Sequence, residues 1–127
     1  DLSAVLRLNF KNVSFLFTGD ITAGVEEYLI NQQKTRQQLK ATIMKVPHHG
    51  SRSSSTADFL KTVNPALAVV SCGRRNIYGF PATEVVSRYK EQYIQLYRTD
   101  LDGAVEFKTD GQKLSWKTAR SKTNLGF

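Results

Sequence analysis

The chain has 127 residues, 40% hydrophobic and 23% charged, which fits one globular domain with a core of its own. Eighteen Lys and Arg against 11 Asp and Glu leave a net charge of +7, a surplus that favours polyanionic partners such as nucleic acid or acidic lipid and has no bearing on fold. No run approaches the roughly 18 apolar residues of a membrane span, no signal-peptide pattern stands at Asp1, and the single cysteine excludes an internal disulfide.

In chain order, residues 3–10 alternate apolar and polar side chains, and residues 13–19 follow after Lys11-Asn12, which predicts a hairpin. Val25, Tyr28 and Leu29 stand at helical spacing and predict a helix over 22–33; the polar stretch 33–41 either extends it or forms a loop. Residues 42–46 read as a short buried strand. Ser55, three residues before Asp58, is close to a capping box and starts a helix with Phe59, Leu60 and Val63 on one face. Residues 65–71 form a second buried strand and 75–81 a loop. Pro81 sits near the first turn of a helix running to Tyr93, where proline is tolerated. Residues 94–99, 103–109 and 113–118 are three strands of a closing meander, turned at Asp102-Gly103 and Asp110-Gly111. The tail, from about 117 to 127, shows no clear pattern. The succession predicts one α/β domain (α+β by some schemes): a mixed sheet with helices on one face and the other face needing a cover.

Two strand ends carry the polar residues of interest. One apolar strand leaves through Thr18-Gly19 into Asp20, and another leaves through Pro47 into His48-His49, the only histidines of the chain. Loops at strand ends of an α/β layer are where sites are usually built. A carboxylate and an imidazole brought together there suit zinc, manganese or iron. Simpler readings stand beside this one. Asp20 can cap a helix starting near Thr22, His48-His49 can be a turn, and adjacent histidines point to different sides. Ser51, Ser53, Ser54 and Ser55 can be loop formers and a cap, or with Arg52 can contact phosphate. Cys72, after an apolar run, reads as a buried, inert thiol.

The order of 15–20 (FLFTGD), 44–51 (MKVPHHGS), 64–73 (NPALAVVSCG), Asn76 and Tyr78 before Pro81, and 97–105 (YRTDLDGAV) resembles the metallo-β-lactamase-like domain of ComEC-type DNA-internalisation competence proteins. The resemblance implies an αββα sandwich of two similar halves, a dinuclear site for manganese or zinc, and a nuclease-type hydrolysis of phosphodiesters during bacterial DNA uptake. By position it makes Asp20 the bridging carboxylate and His48 the histidine ligand, with His49 as the alternative. Ser51 and Asn76 match polar loop positions, and with Arg52, Arg74 and Arg75 they become the expected DNA contacts. The His-x-His-x-Asp-His motif of that superfamily is absent, so the resemblance makes the chain the second half of such a domain, inactive alone and lacking its N-terminal partner half. Phe80 also stands where relatives carry histidine, which opens the alternative of a non-catalytic DNA-binding or scaffolding module, or of a related phosphodiesterase. The implied setting is a soluble domain of a membrane-anchored protein, on the outer side of the cytoplasmic membrane. The uncovered sheet face of a half-sandwich predicts a homodimer.

Overall fold

The computed structural model describes residues 2–121 and 125–127; Asp1 and residues 122–124, part of the expected tail, lie outside them. Strands β1 (Leu6–Phe10) and β2 (Val13–Phe17) form the expected hairpin, with Lys11 at a φ of 51° in its two-residue turn. From β2 the chain climbs through helix α1 (Ala23–Asn31), the short α2 (Gln33–Gln38), β3 (Ile43–Lys45), α3 (Ala57–Val63), β4 (Leu67–Val70), α4 (Thr83–Glu91) and β5 (Gln95–Arg98). The sheet order is β1-β2-β3-β4-β5, antiparallel at the first pair and parallel thereafter. Each crossover advances one strand in the same direction. Because such crossovers are right-handed, the helices gather on one face.

Strand side chains alternate between faces, which separates two cores. Leu16, Met44, Ala68 and Val70 face Phe59, Leu60 and Val63 of α3 and Val85 and Tyr89 of α4. Val13, Ile43, Leu67 and Tyr97 point the other way and meet Leu114 and Trp116. Burial on both faces is why 67–70 is uninterruptedly apolar.

The other face is covered by the chain itself. After α5 (Thr99–Asp102), strands β6 (Val105–Thr109), β7 (Leu114–Thr118) and β8 (Leu125–Gly126) make a separate antiparallel sheet packed on the first. The molecule is thus a mixed α+β fold in three layers, helices on a five-stranded sheet on a three-stranded sheet. Two expectations change. Residues 94–99 belong to the first sheet, parallel to β4, because α4 makes β4 and β5 a β-α-β unit. The tail is not wholly irregular, since Leu125 and Gly126 pair with Trp116 and Ser115. Cover is incomplete at the β1 edge, where Leu6, Leu8, Phe10 and Phe17 remain exposed.

Candidate functional site

Parallel pairing puts the carboxyl ends of β2, β3 and β4 side by side, so Asp20, His48-His49 and Ser71-Cys72 meet at one edge of the sheet. Thr18, fully buried, locks the first two ends together by donating from Oγ1 to the Lys45 carbonyl at 2.8 Å. Lys45 returns along the same seam, donating to the Gly19 carbonyl at 3.0 Å with its ammonium 3.7 Å from Asp20 Oδ1. Burial pushes the Lys45 pKa down, and Asp20 opposes that shift. Asp20 does not cap α1: the cap position is Thr22 and no side chain bonds there, while the Asp20 amide donates to Ser3 Oγ.

The histidine pair occupies an unusual backbone. His48 and His49 have φ of 46° and 53°, and Gly50 has 78°. Left-handed conformation costs a non-glycine residue roughly 1–2 kcal/mol, and strain of this kind concentrates at functional sites. A Cβ on Gly50 would fall 2.6 Å from Pro81 Cβ, so only glycine fits the third position. The run is held by His48 N–H to Gly19 O at 3.1 Å, Ser51 N–H to His48 O at 2.9 Å and Ala82 N–H to Gly50 O at 2.9 Å. In a strand, adjacent side chains oppose one another; in a helical turn they are about 100° apart. That is why both rings line one cleft of about 490 Å³, with Asp20, Cys72, Asn76 and Phe80.

The two rings are not equivalent. His49 Nδ1 stands 2.7 Å from the Ser71 carbonyl, and Nε2 stands 3.4 Å from Asp20 Oδ1. A carbonyl only accepts, so Nδ1 carries the proton. Nε2 is left facing the carboxylate, where a water or a cation can bridge the two. His48 packs edge-on against Phe80, ring centroids 6.0 Å apart, and its buried Nδ1 has no hydrogen-bond partner among the described residues. The ring beside the carboxylate is therefore that of His49, the alternative to His48 in the sequence reading: the left-handed turn brings the second ring, not the first, next to Asp20.

Several of the other expected contact residues also hold the loops. Ser51 Oγ lies 3.0 Å from Ser53 Oγ. Arg52 pairs with Glu84 at 2.9 Å. Asn76 donates to Gly73 O and Phe80 O and accepts from Phe80 N–H, which closes the loop after β4. Arg74 and Arg75 are exposed on that loop. Ser54 and Ser55 are fully buried, and the α3 cap is Thr56 rather than Ser55, because Thr56 Oγ1 accepts from Phe59 N–H. Cys72 donates to Asp100 Oδ1 at 3.2 Å; burial, then that contact, raises its pKa, which suits an inert thiol.

Three participants escaped sequence reading: Lys45, the Ser71 carbonyl and Glu26. Glu26 is fully buried and accepts from Ser55 N–H at 2.6 Å and Thr56 N–H at 2.8 Å, anchoring the serine loop behind the histidines. Its position three and four residues before Leu29 and Ile30, on the apolar side of α1, was the available signal.

Among the described residues no group of three or more His, Cys, Asp or Glu side chains could hold a metal ion. Asp20 and His49 fit as two donors, His49 in the manner usual for a ligand whose second nitrogen is bonded to a carbonyl. A resident ion takes four to six donors, so these two do not complete a site. No described helix is long and apolar enough to cross a membrane.

Fold and cleft thus define an α+β protein with a polar site at the carboxyl ends of parallel strands. The chain is similar to the competence protein ComA of Neisseria gonorrhoeae, 39% identical over 105 residues that make up 83% of this chain and 15% of that protein. It is 35% identical over 115 residues to the uncharacterized protein YcaI of Escherichia coli, covering 89% of this chain and 15% of YcaI. It is 30% identical over 106 residues to ComE operon protein 3 of Bacillus subtilis, covering 84% of this chain and 13% of that protein. The chain therefore spans about a seventh of the length of the curated relatives it matches. No family model matches. These relatives overturn the expected recognition: those with a named role are competence proteins and not metallo-β-lactamases, and the assignment to the second half of a ComEC-type metallo-β-lactamase-like domain is withdrawn.

Proposed function

We propose that this chain is a DNA-contacting part of a bacterial DNA-uptake protein, and that Asp20 and His49 contribute two donors to a divalent cation, manganese or zinc, at the cleft. The observation that carries the cation is the His49 geometry: Nδ1–H committed to Ser71 O and Nε2 aimed at Asp20 Oδ1 3.4 Å away. The names of two relatives, a competence protein and a ComE operon protein, support the setting. The net charge of +7 supports a polyanion.

Bound there, such a cation would supply an activated water and stabilise charge on a phosphodiester. The chain's own residues orient it. Ser71 fixes the His49 tautomer, Lys45 and Thr18 hold the Asp20 loop against β3, and Glu26 braces the loop behind. The remaining donors would come from water, phosphate oxygens or residues outside those described.

The second reading, a module that binds DNA without cleaving it, is favoured by Phe80, which fills the cleft wall beside His48 with a ring that carries no donor or acceptor. Fluorescence anisotropy with labelled oligonucleotides tests the common premise. Binding should be independent of sequence and weaken about tenfold or more between about 50 and about 200 mM salt. Binding unaffected by salt, or none at low salt, removes the DNA reading.

A further inference from the structure

The loop between β4 and α4 presents an aromatic ring for which neither the fold nor the proposed cation pair has a use. Tyr78 is 71% exposed and its neighbour Ile77 90%. Tyr78 is not a loose side chain. It stacks on Phe80, centroids 5.5 Å apart and planes 21° from parallel, and Phe80 in turn stands edge-on to His48. One face of the ring is therefore covered and the other is open at the mouth of the Asp20–His49 cleft.

The loop is also stiff. Asn76 spends its side-chain amide on three backbone bonds across it, 2.8 to 2.9 Å long, and its carbonyl accepts from Gly79 N–H. A ring held in place loses little entropy on binding, which is the usual benefit of a pre-organised contact. Arg74 and Arg75, exposed on the same loop, put positive charge beside it.

We propose that Tyr78 is a stacking platform for a nucleobase of single-stranded nucleic acid, with Arg74 and Arg75 taking the adjoining phosphates. The proposal rests on the DNA reading of the cleft and deepens it by naming the strand form. An aromatic face accepts any base, so the contact is indifferent to sequence, and bases inside a duplex are already stacked and cannot use it. The arrangement continues the Phe80–Tyr78 stack outward to the incoming base.

The test is anisotropy titration of the chain with a labelled single-stranded oligonucleotide, an abasic oligonucleotide of equal length and a duplex. Tyr78→Ala should weaken single-strand binding roughly five- to hundredfold, while Tyr78→Phe stays within about twofold of the parent. The abasic strand should bind the parent as weakly as the full strand binds Tyr78→Ala. Because Tyr78 is exposed, unchanged thermal melting shows that the variant is folded. If Tyr78→Ala and the abasic strand bind like their parents, or the duplex binds as tightly as the single strand, the platform is overturned and the DNA reading stands. If the parent binds no nucleic acid even at low salt, both are overturned together.

Discussion

His49 Nε2 and Asp20 Oδ1 stand 3.4 Å apart across the ends of two parallel strands, and the far nitrogen of the same ring is 2.7 Å from the Ser71 carbonyl. The pair is held from three strands at once: β2 leads to Asp20, β3 to His49 and β4 to Ser71. A cation shared between the two side chains should bind loosely, since they are only two donors. Titration calorimetry with manganese or zinc should show binding that falls about tenfold or more in His49→Ala and in Asp20→Ala. His48→Ala should leave it nearly unchanged. The reverse ranking of the two histidines would make His48 the ligand.

Cleavage is a separate matter. With no third ligand among the described residues, the chain should not cut single-stranded or duplex DNA in millimolar manganese, because the metal-activated water and the charge stabilisation of the transition state both need an assembled centre. Robust cleavage that a chelator stops and Asp20→Ala abolishes would mean the two donors suffice.

Glu26 makes stability depend on pH. Burial raises its pKa above the usual carboxylate value of 4.5, and the amides of Thr56 and Ser55, with Arg88, offset this only in part. An acid whose pKa is higher folded than unfolded binds more protons in the folded state, so its contribution is complete below about pH 4.5 and is lost as pH rises through the raised value. Thermal melts should show the Glu26→Gln variant losing less stability than the parent between pH 4.5 and pH 7. An identical pH dependence in the two proteins would show that Glu26 is not the source.

The two sheets are joined by a polar bond inside an apolar layer: Trp116 Nε1–H donates to Tyr97 Oη at 2.7 Å. Tyr97→Phe keeps the packing and leaves that buried donor without its acceptor, which costs about 1–3 kcal/mol. Denaturant unfolding should register the loss with the slope unchanged. A loss below about 0.5 kcal/mol would mean the indole N–H finds another acceptor.

The uncovered edge of the first sheet predicts self-association. β1 carries Leu6, Leu8 and Phe10 on one face, all exposed, with Arg7 and Asn9 on the other. A twofold axis through Leu8 would set Leu6 opposite Phe10 and Arg7 opposite Asn9 of a second copy, so apolar meets apolar and no like charges face each other. Light scattering should find a dimer at millimolar protein. Leu8→Lys, which places two ammonium groups at the axis, should return it to monomer. A monomer at that concentration would count against the pairing, and a dimer that survives Leu8→Lys would move the interface elsewhere.

The sequence alone determined the main strands and helices and roughly where their ends fall. Apolar runs at 13–17, 43–46 and 67–70 had to be strands buried on at least one face, Asp110-Gly111 had to turn, and Asp20 and the histidines had to lie just beyond strand ends. Those features are local, and a period or a turn residue records them. Partnership is not local. Which histidine meets Asp20 depends on a left-handed backbone at His48 and His49 that carries no pattern of its own and is stabilised by Gly19, Ser71 and Ala82 from elsewhere in the chain. Glu26 is tolerated inside the protein only because the amides of Ser55 and Thr56, 29 and 30 residues away, reach it. The cover on the second face likewise awaited tertiary structure, because alternation says that a face of β6 and β7 is apolar without saying what it packs against. Period encodes exposure along one element; only the folded chain brings distant donors and acceptors within bonding distance.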